Sequence, residues 1–160
     1  MDHGSRARLG ADERYPPVAR SAAISIHNKE KKMAKANKEI VEEVNAKFTA
    51  NDPEGFLDLC DENVVWSMVG EKTRNGKSEI REWMAGMKDM EPPKFTVAEY
   101  IAESDSVACR GDMTMKDEKG NEGKYSFCDF YRFKNGKITE LNSYIVKHKT
   151  EGEKDRSATA

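Results

Sequence analysis

Long apolar runs are missing from this chain. No uninterrupted hydrophobic stretch approaches the roughly 20 residues of a membrane-spanning helix. The opening Met1-Asp2-His3-Gly4-Ser5-Arg6 lacks the apolar segment of a secretory signal. No sign of charge dominates either. Lys and Arg number 27 against 29 Asp and Glu, a formal net charge of −2, so the electrostatic footprint of nucleic-acid or anionic-membrane binding is absent. Histidine is scarce: His3, His27 and His148 lie in polar or terminal segments. With no His/Cys/carboxylate cluster at ligand spacing, neither a metal nor another cofactor is expected. The three cysteines, Cys60, Cys109 and Cys128, are odd in number, far apart and set in apolar stretches. They read as buried free thiols of a reducing compartment, and a cytoplasmic location is expected.

At 160 residues the chain has room for one domain with its own core. Residues 1–34 are arginine-bearing, contain Pro16-Pro17 and show little periodicity, which marks them as a disordered extension. Residues 149–160 are polar and read as a flexible tail. Between these ends, 35–148 carries regular patterns. Ile40, Val41, Val44 and Phe48 recur at helical spacing, predicting a helix over about 36–50. Asp52-Pro53 is a capping residue followed by proline at a first helical position, opening a short helix with Phe56, Leu57, Leu59 and Cys60. Residues 64–69 read as a strand and 70–76 as a polar loop. Ser78 is expected to cap a third helix bearing Ile80, Trp83, Met84 and Met87, which Pro92-Pro93 ends.

The period then changes to two. Residues 95–103, 107–116, 124–133 and 137–147 read as four long strands, and Asn135-Gly136 is a strong hairpin signal. Short connections make these strands antiparallel neighbours. The fold class is therefore α+β, with helices covering one face of a strongly curved sheet.

One residue breaks the pattern. In the run from Tyr125 to Phe133, Asp129 shares a face with Tyr125, Phe127, Tyr131 and Phe133. A carboxylate among aromatic rings is unfavourable unless it is paired, hydrogen-bonded or protonated. Either it meets a structural partner, with Arg110 and Arg81 as candidates, or it serves a ligand as hydrogen-bond donor or acid/base. Trp66 and Met68 share a face of the first strand and form either pocket wall or core. Trp83 and Met87 lie along the third helix, while Tyr100, Tyr131 and Tyr144 carry hydroxyls that a ligand could use. Arg110-Gly111-Asp112 reads mostly as surface.

Together, the segments 51–60, Val64-Val65-Trp66, 74–83 and 129–138 resemble the nuclear transport factor 2-like superfamily, in particular its SnoaL-like and ketosteroid isomerase-like branch. The resemblance covers residues 36–148. It implies a cone of curved antiparallel sheet and three N-terminal helices enclosing a pocket, and a homodimer. Asp129 stands where the superfamily's steroid isomerases keep a protonated aspartic acid in an oxyanion hole. Their general-base aspartate corresponds to Met68 and their oxyanion tyrosine to Val44, so steroid isomerisation is not implied. Superfamily epoxide hydrolases use an Arg-x-Asp element, which Arg110-Gly111-Asp112 supplies one residue out of register. Their second aspartate corresponds to Ser143.

Two functions follow as expectations. One is a small-molecule pocket protein for a compact apolar or mixed-polarity ligand, acting without a cofactor as an isomerase, cyclase or dehydratase through Asp129. The other is a non-catalytic association domain with a filled pocket and Asp129 tied to an arginine. A hydrolase built on Arg110 and Asp112 is a third, and it requires both side chains to point inward. The outer sheet face carries apolar residues (Ala108, Cys128, Phe130), which favours pairing with a second copy.

Overall fold

The computed structural model describes residues 17–117 and 119–149. The expectations for 1–16 and for 150–160 fall outside these residues. Pro17 opens the first element: its φ is set for a helix and it has no N–H to leave unpaired. Helix α1 runs from Pro17 to Thr49. The expected start near residue 36 is therefore too late, and residues 17–34 are helical. Periodicity detects only the part of a helix that buries a stripe. Ahead of Ala34, residues 21–33 are exposed, and there Ala22, Ala23 and the run Lys29-Glu30-Lys31-Lys32-Met33 are good helix formers. Lys35–Glu39 and Lys38–Glu42 add exposed i,i+4 pairs. From Ala34 on, Asn37, Val41, Val44 and Asn45 form the buried stripe. The Asn37 side chain donates to the Ser104 carbonyl at 3.1 Å, tying α1 to a strand turn.

Asp52 caps the next helix by accepting from the Gly55 amide at 2.9 Å, and α2 spans Pro53–Asp58. Strand β1 (Cys60–Met68) follows, then a short β2 (Thr73–Asn75) inside the segment expected to be loop. Helix α3 covers Gly76–Ala85. Asn75, not Ser78, holds the cap position, and the Glu79 carboxylate accepts from the Asn75 amide at 2.8 Å, satisfying a donor at the start of the helix. Four long strands complete the chain: β3 (Lys94–Glu103), β4 (Ser106–Lys116), β5 (Glu122–Lys134) and β6 (Lys137–Lys147). Asn135 (φ 51°) and Gly136 (φ 73°) form the left-handed pair that a tight hairpin requires.

One six-stranded sheet results, in the order β2-β1-β6-β5-β4-β3. The four long strands are antiparallel neighbours as expected. Strand β1 joins them parallel to β6 and pairs antiparallel with β2. Register shifts at Val97/Glu99, Arg132/Phe133 and Cys60/Val65 bend the strands. The sheet curves without closing, and the helices gather on its inner face. Helix α1 lies against β3 and β4, and α2 and α3 against β1. Val41, Val44, Phe56, Leu57, Ile80, Tyr131, Ile138 and Leu141 are the fully enclosed centre of the core.

Gly111 sits where β3 crosses closest to β4. A Cβ there would run into the Thr96 carbonyl oxygen and lie 2.9 Å from Val97 Cα. These are backbone atoms that cannot rotate away. Gly111→Ala is expected to destabilise the domain by about 1–3 kcal/mol. Urea unfolding should show a lower midpoint with an unchanged slope; an unchanged midpoint would mean that the bulge relaxes freely.

Candidate functional site

Strand alternation assembles a single row across the inner face. Arg74 on β2 stands opposite Trp66 on β1. Trp66 and Met68 lie beside Leu141 and Ser143 of β6. Ser143 faces Asp129 of β5, Asp129 faces Cys109 of β4, and Cys109 faces Tyr100 of β3. The expected face of β5 is present: Phe127, Asp129, Tyr131 and Phe133 are all buried.

Polar groups in this row are linked. The Trp66 Nε1–H donates to Ser143 Oγ at 3.0 Å. That bond occupies a lone pair of Ser143 and leaves its single proton free for the Asp129 carboxyl. Asn45, projecting from α1, donates to Tyr100 Oη at 3.0 Å and lies 3.8 Å from the Cys109 sulfur. Tyr131 is completely buried, and its hydroxyl has no hydrogen-bond partner of good geometry among the described residues. It still acts on Asp129 as a nearby donor.

Among the described residues no cation pairs with Asp129. Arg110 pairs with Glu99 at 2.9 Å and Arg81 with Glu54 at 2.7 Å, all four exposed. Burial therefore dominates and pushes the Asp129 carboxyl from 3.8 up to about 6, against the opposing hydrogen-bonding influence of Ser143 and Tyr131. Burial also raises Tyr131 well above the ordinary tyrosine value, with the Asp129 charge adding to it. Tyr131 thus remains a proton donor at any physiological pH. Burial pushes the Cys109 thiol up to about 12, so it is protonated and poorly nucleophilic despite facing Asp129.

Exposure changes along the strands. At one end of the inner face Cys60, Val64, Val107, Phe133 and Ile138 are buried. At the other end Met68, Phe95, Met115, Tyr125 and Ile145 pack on the core but stay half-buried. Asp129 lies between the two. A string of rings spans the half-buried end: Trp83 to Trp66 at 5.1 Å, Trp66 to Phe48 at 5.7 Å, Phe48 to Phe95 at 6.5 Å and Phe95 to Phe127 at 5.6 Å. The Arg74 guanidinium caps this string, 3.8 Å from the Trp83 ring centre.

The candidates sort accordingly. Trp66, Met68, Trp83, Tyr100 and Tyr131 converge with Asp129 on the inner face. Tyr144 does not: it alternates with Ser143, points outward and is 48% exposed. Met87 lies beyond the end of α3 in the turns that follow, outside the packed cluster. Arg110 and Asp112 are exposed on the outer face, so the hydrolase expectation that needs them inward is overturned; Asp112 accepts from Ser126 at 2.8 Å. Sequence reasoning missed Asn45 and Arg74. Asn45 is a polar residue next to a helical apolar stripe, and only its contacts distinguish it. Arg74 was hidden by the absence of any strand signal in a three-residue element. A groove of about 610 Å³ lies elsewhere, between His27, Glu30 and Lys31 of α1 and Ile101, Ala108 and Phe130 of the sheet, and Asp129 is not part of it.

The architecture is that of a nuclear transport factor 2-like α+β protein. Within that class the chain belongs to the SnoaL-like domain family, whose sequence profile matches residues 41–141. A nuclear transport factor 2-like protein of unknown function from Burkholderia pseudomallei is similar in structure, with 20% identity over 78% of this chain and 98% of that one, at a TM-score of 0.64. An LEH-like epoxide hydrolase of M. tuberculosis shares 13% identity over 71% of this chain and 84% of its own, also at 0.64. The epoxide hydrolase/cyclase-like enzyme SalBIII, of pyran ring formation in salinomycin, shares 24% identity over 70% and 92%, at 0.63. At such identities these likenesses establish the fold. No curated protein matches the chain at a significant level.

Asp129 makes stability depend on pH in a defined direction. Its folded-state pKa lies above the unfolded value of 3.8, so its contribution is fully present below 3.8 and is lost as pH rises through about 6. The difference amounts to about 3 kcal/mol. Asp129→Asn removes this titration. Urea unfolding of both proteins from pH 3.5 to 7.5 should show the wild type losing stability relative to the variant across that window, with a plateau above it. A variant less stable than the wild type at pH 7 would reveal a favourable ionised carboxylate instead.

Proposed function

We propose that the half-buried end of the cone is a ligand pocket, and that the protein is a cofactor-independent SnoaL-like enzyme in which Asp129 moves a proton. The observation that carries this reading is a buried carboxyl with no cation partner among the described residues, poised at about 6 by burial. A structural carboxyl of this depth would be expected to hold an arginine, and both candidate arginines are engaged elsewhere. The association-domain alternative depended on that pairing.

Met68 and Met115 are half-buried at the open end of the inner face, and their flexible side chains can make room for a compact apolar ligand. At neutral pH the carboxylate is the majority form and serves as a base of useful strength. The protonated Tyr131 and the Ser143 hydroxyl stand ready to donate to an oxygen of the ligand or to the carboxylate itself. This set suits abstraction of a proton beside a carbonyl, the step shared by isomerisation, aldol-type cyclisation and dehydration. One such group contributes on the order of 10²–10⁴-fold.

A cyclic aryl ketone such as 1-tetralone, incubated with the protein in D₂O, tests the chemistry. Deuterium should enter next to the carbonyl faster than in buffer, with a rate that rises with pH through about 6. Asp129→Asn should abolish the excess rate while keeping the fold. Exchange unchanged by the substitution would remove Asp129 from the mechanism.

We also propose a homodimer through the outer sheet face. Ile101, Tyr144 and Val146 are exposed there at 61%, 48% and 65%, beside half-buried Cys128 and Phe130. Sedimentation at micromolar concentration should give the mass of two chains, and Val146→Glu should shift it toward one. A monomer at that concentration would refute the pairing.

A further inference from the structure

Arg74 is the one group at the mouth of the row for which the proposed proton transfer has no use. Its neighbours Thr73 and Asn75 are exposed while Arg74 is half-buried. It stands opposite Trp66, so its side chain shares the inner face. The guanidinium carbon lies over the Trp83 ring, 3.8 Å from its centre, and Trp83 meets Trp66 edge-on at 5.1 Å. Among the described residues its Nη1 is buried and has no hydrogen-bond partner. A guanidinium N–H left unmade in a shielded place is unfavourable. Stacking on an indole compensates for the charge but leaves that N–H unsatisfied.

The geometry points to Arg74 as the binding group for a ligand carboxylate, and so to an aromatic or alicyclic carboxylic acid as the ligand class. This rests on the pocket reading above. Three features select the class. A single guanidinium fits one carboxylate rather than a phosphate dianion, for which more cations would be expected. The wall between Arg74 and Asp129 is Trp83, Trp66 and Phe48, so the body of the ligand is flat and apolar. The two ends of the row carry opposite charge above pH 6, which orients the ligand: its carboxylate is repelled by Asp129 and attracted by Arg74, leaving the uncharged end at Asp129. Arg74 is a binding residue in this assignment and takes no part in proton transfer.

The chain has two tryptophans, Trp66 and Trp83, and both lie in this wall. Their two indole N–H resonances in a ¹⁵N-labelled sample therefore report binding directly. The probes are 2-naphthoate and its neutral analogue 2-naphthamide, titrated at pH 7.5. Wild type is expected to bind the acid about tenfold or more tightly than the amide. Arg74→Gln should erase that preference while leaving amide binding within about twofold. Arg74→Lys, which keeps the charge but not the fork, should retain part of the preference; it serves as the informative variant if the Gln protein loses its indole dispersion. Equal binding of acid and amide by wild type, or equal weakening of both by Arg74→Gln with the fold intact, would overturn the carboxylate assignment and leave the pocket standing. Failure of both probes to move either indole resonance at millimolar concentration would overturn the assignment together with the pocket.

Discussion

A buried carboxyl among aromatic side chains is the constraint around which this domain is arranged. Asp129 has Cys109 on one side, Ser143 on the other and Tyr131 along its own strand. None of these supplies a charge. Two hydroxyls lie near it, and one of them is engaged by a third residue: Trp66 donates to the Ser143 oxygen and leaves its proton free for the carboxyl. The Trp66 indole is in turn held by Phe56, Phe48 and Trp83. The aromatic core and the acid are one construction, because the rings exclude water, raise the pKa and orient the donor.

The helices determine which part of this construction is closed. Val41, Val44 and Asn45 of α1 and Phe56 and Leu57 of α2 cover one end of the inner face completely. At the other end the sheet extends beyond its helical cover, and its apolar side chains remain half-buried. The long α1 does not alter this balance, since residues 21–33 are exposed. Their helicity follows from composition, and their tertiary contacts are few. The same helix is therefore structural at its C-terminal half and locally stabilised at its N-terminal half.

Much of this was legible in the residues. Period-two patterning located four strands to within a few residues, and Asn135-Gly136 located their last turn. Aromatic neighbours at every second position single out Asp129 in the sequence itself. What escaped had a physical reason in each case. Residues 17–34 lack a stripe, so periodicity had nothing to register. Strand β2 is three residues long and exists through pairing with β1, a long-range fact. Tyr144 carries the same hydroxyl as Tyr131, and only strand parity, counted from Ser143, separates them. Arg74 and Asn45 are ordinary residue types whose significance is entirely positional.

The value of about 6 also discriminates between two roles for the acid. In the resembled isomerases the aspartic acid at this position is protonated and donates a hydrogen bond. Here, with the carboxyl held near 6, the ionised form prevails at pH 7. A group in that state is mainly a base and an acceptor. Under the proposed function the donors are Tyr131, which burial keeps protonated, and Ser143. The Ser143 and Tyr131 hydroxyls moderate what burial alone would do to Asp129. A ligand that excludes the remaining water and brings its own carboxylate to Arg74 would push Asp129 further up, through added burial and a second negative charge. Binding would then make the base stronger as the site fills, coupling occupancy of the mouth to reactivity at the centre.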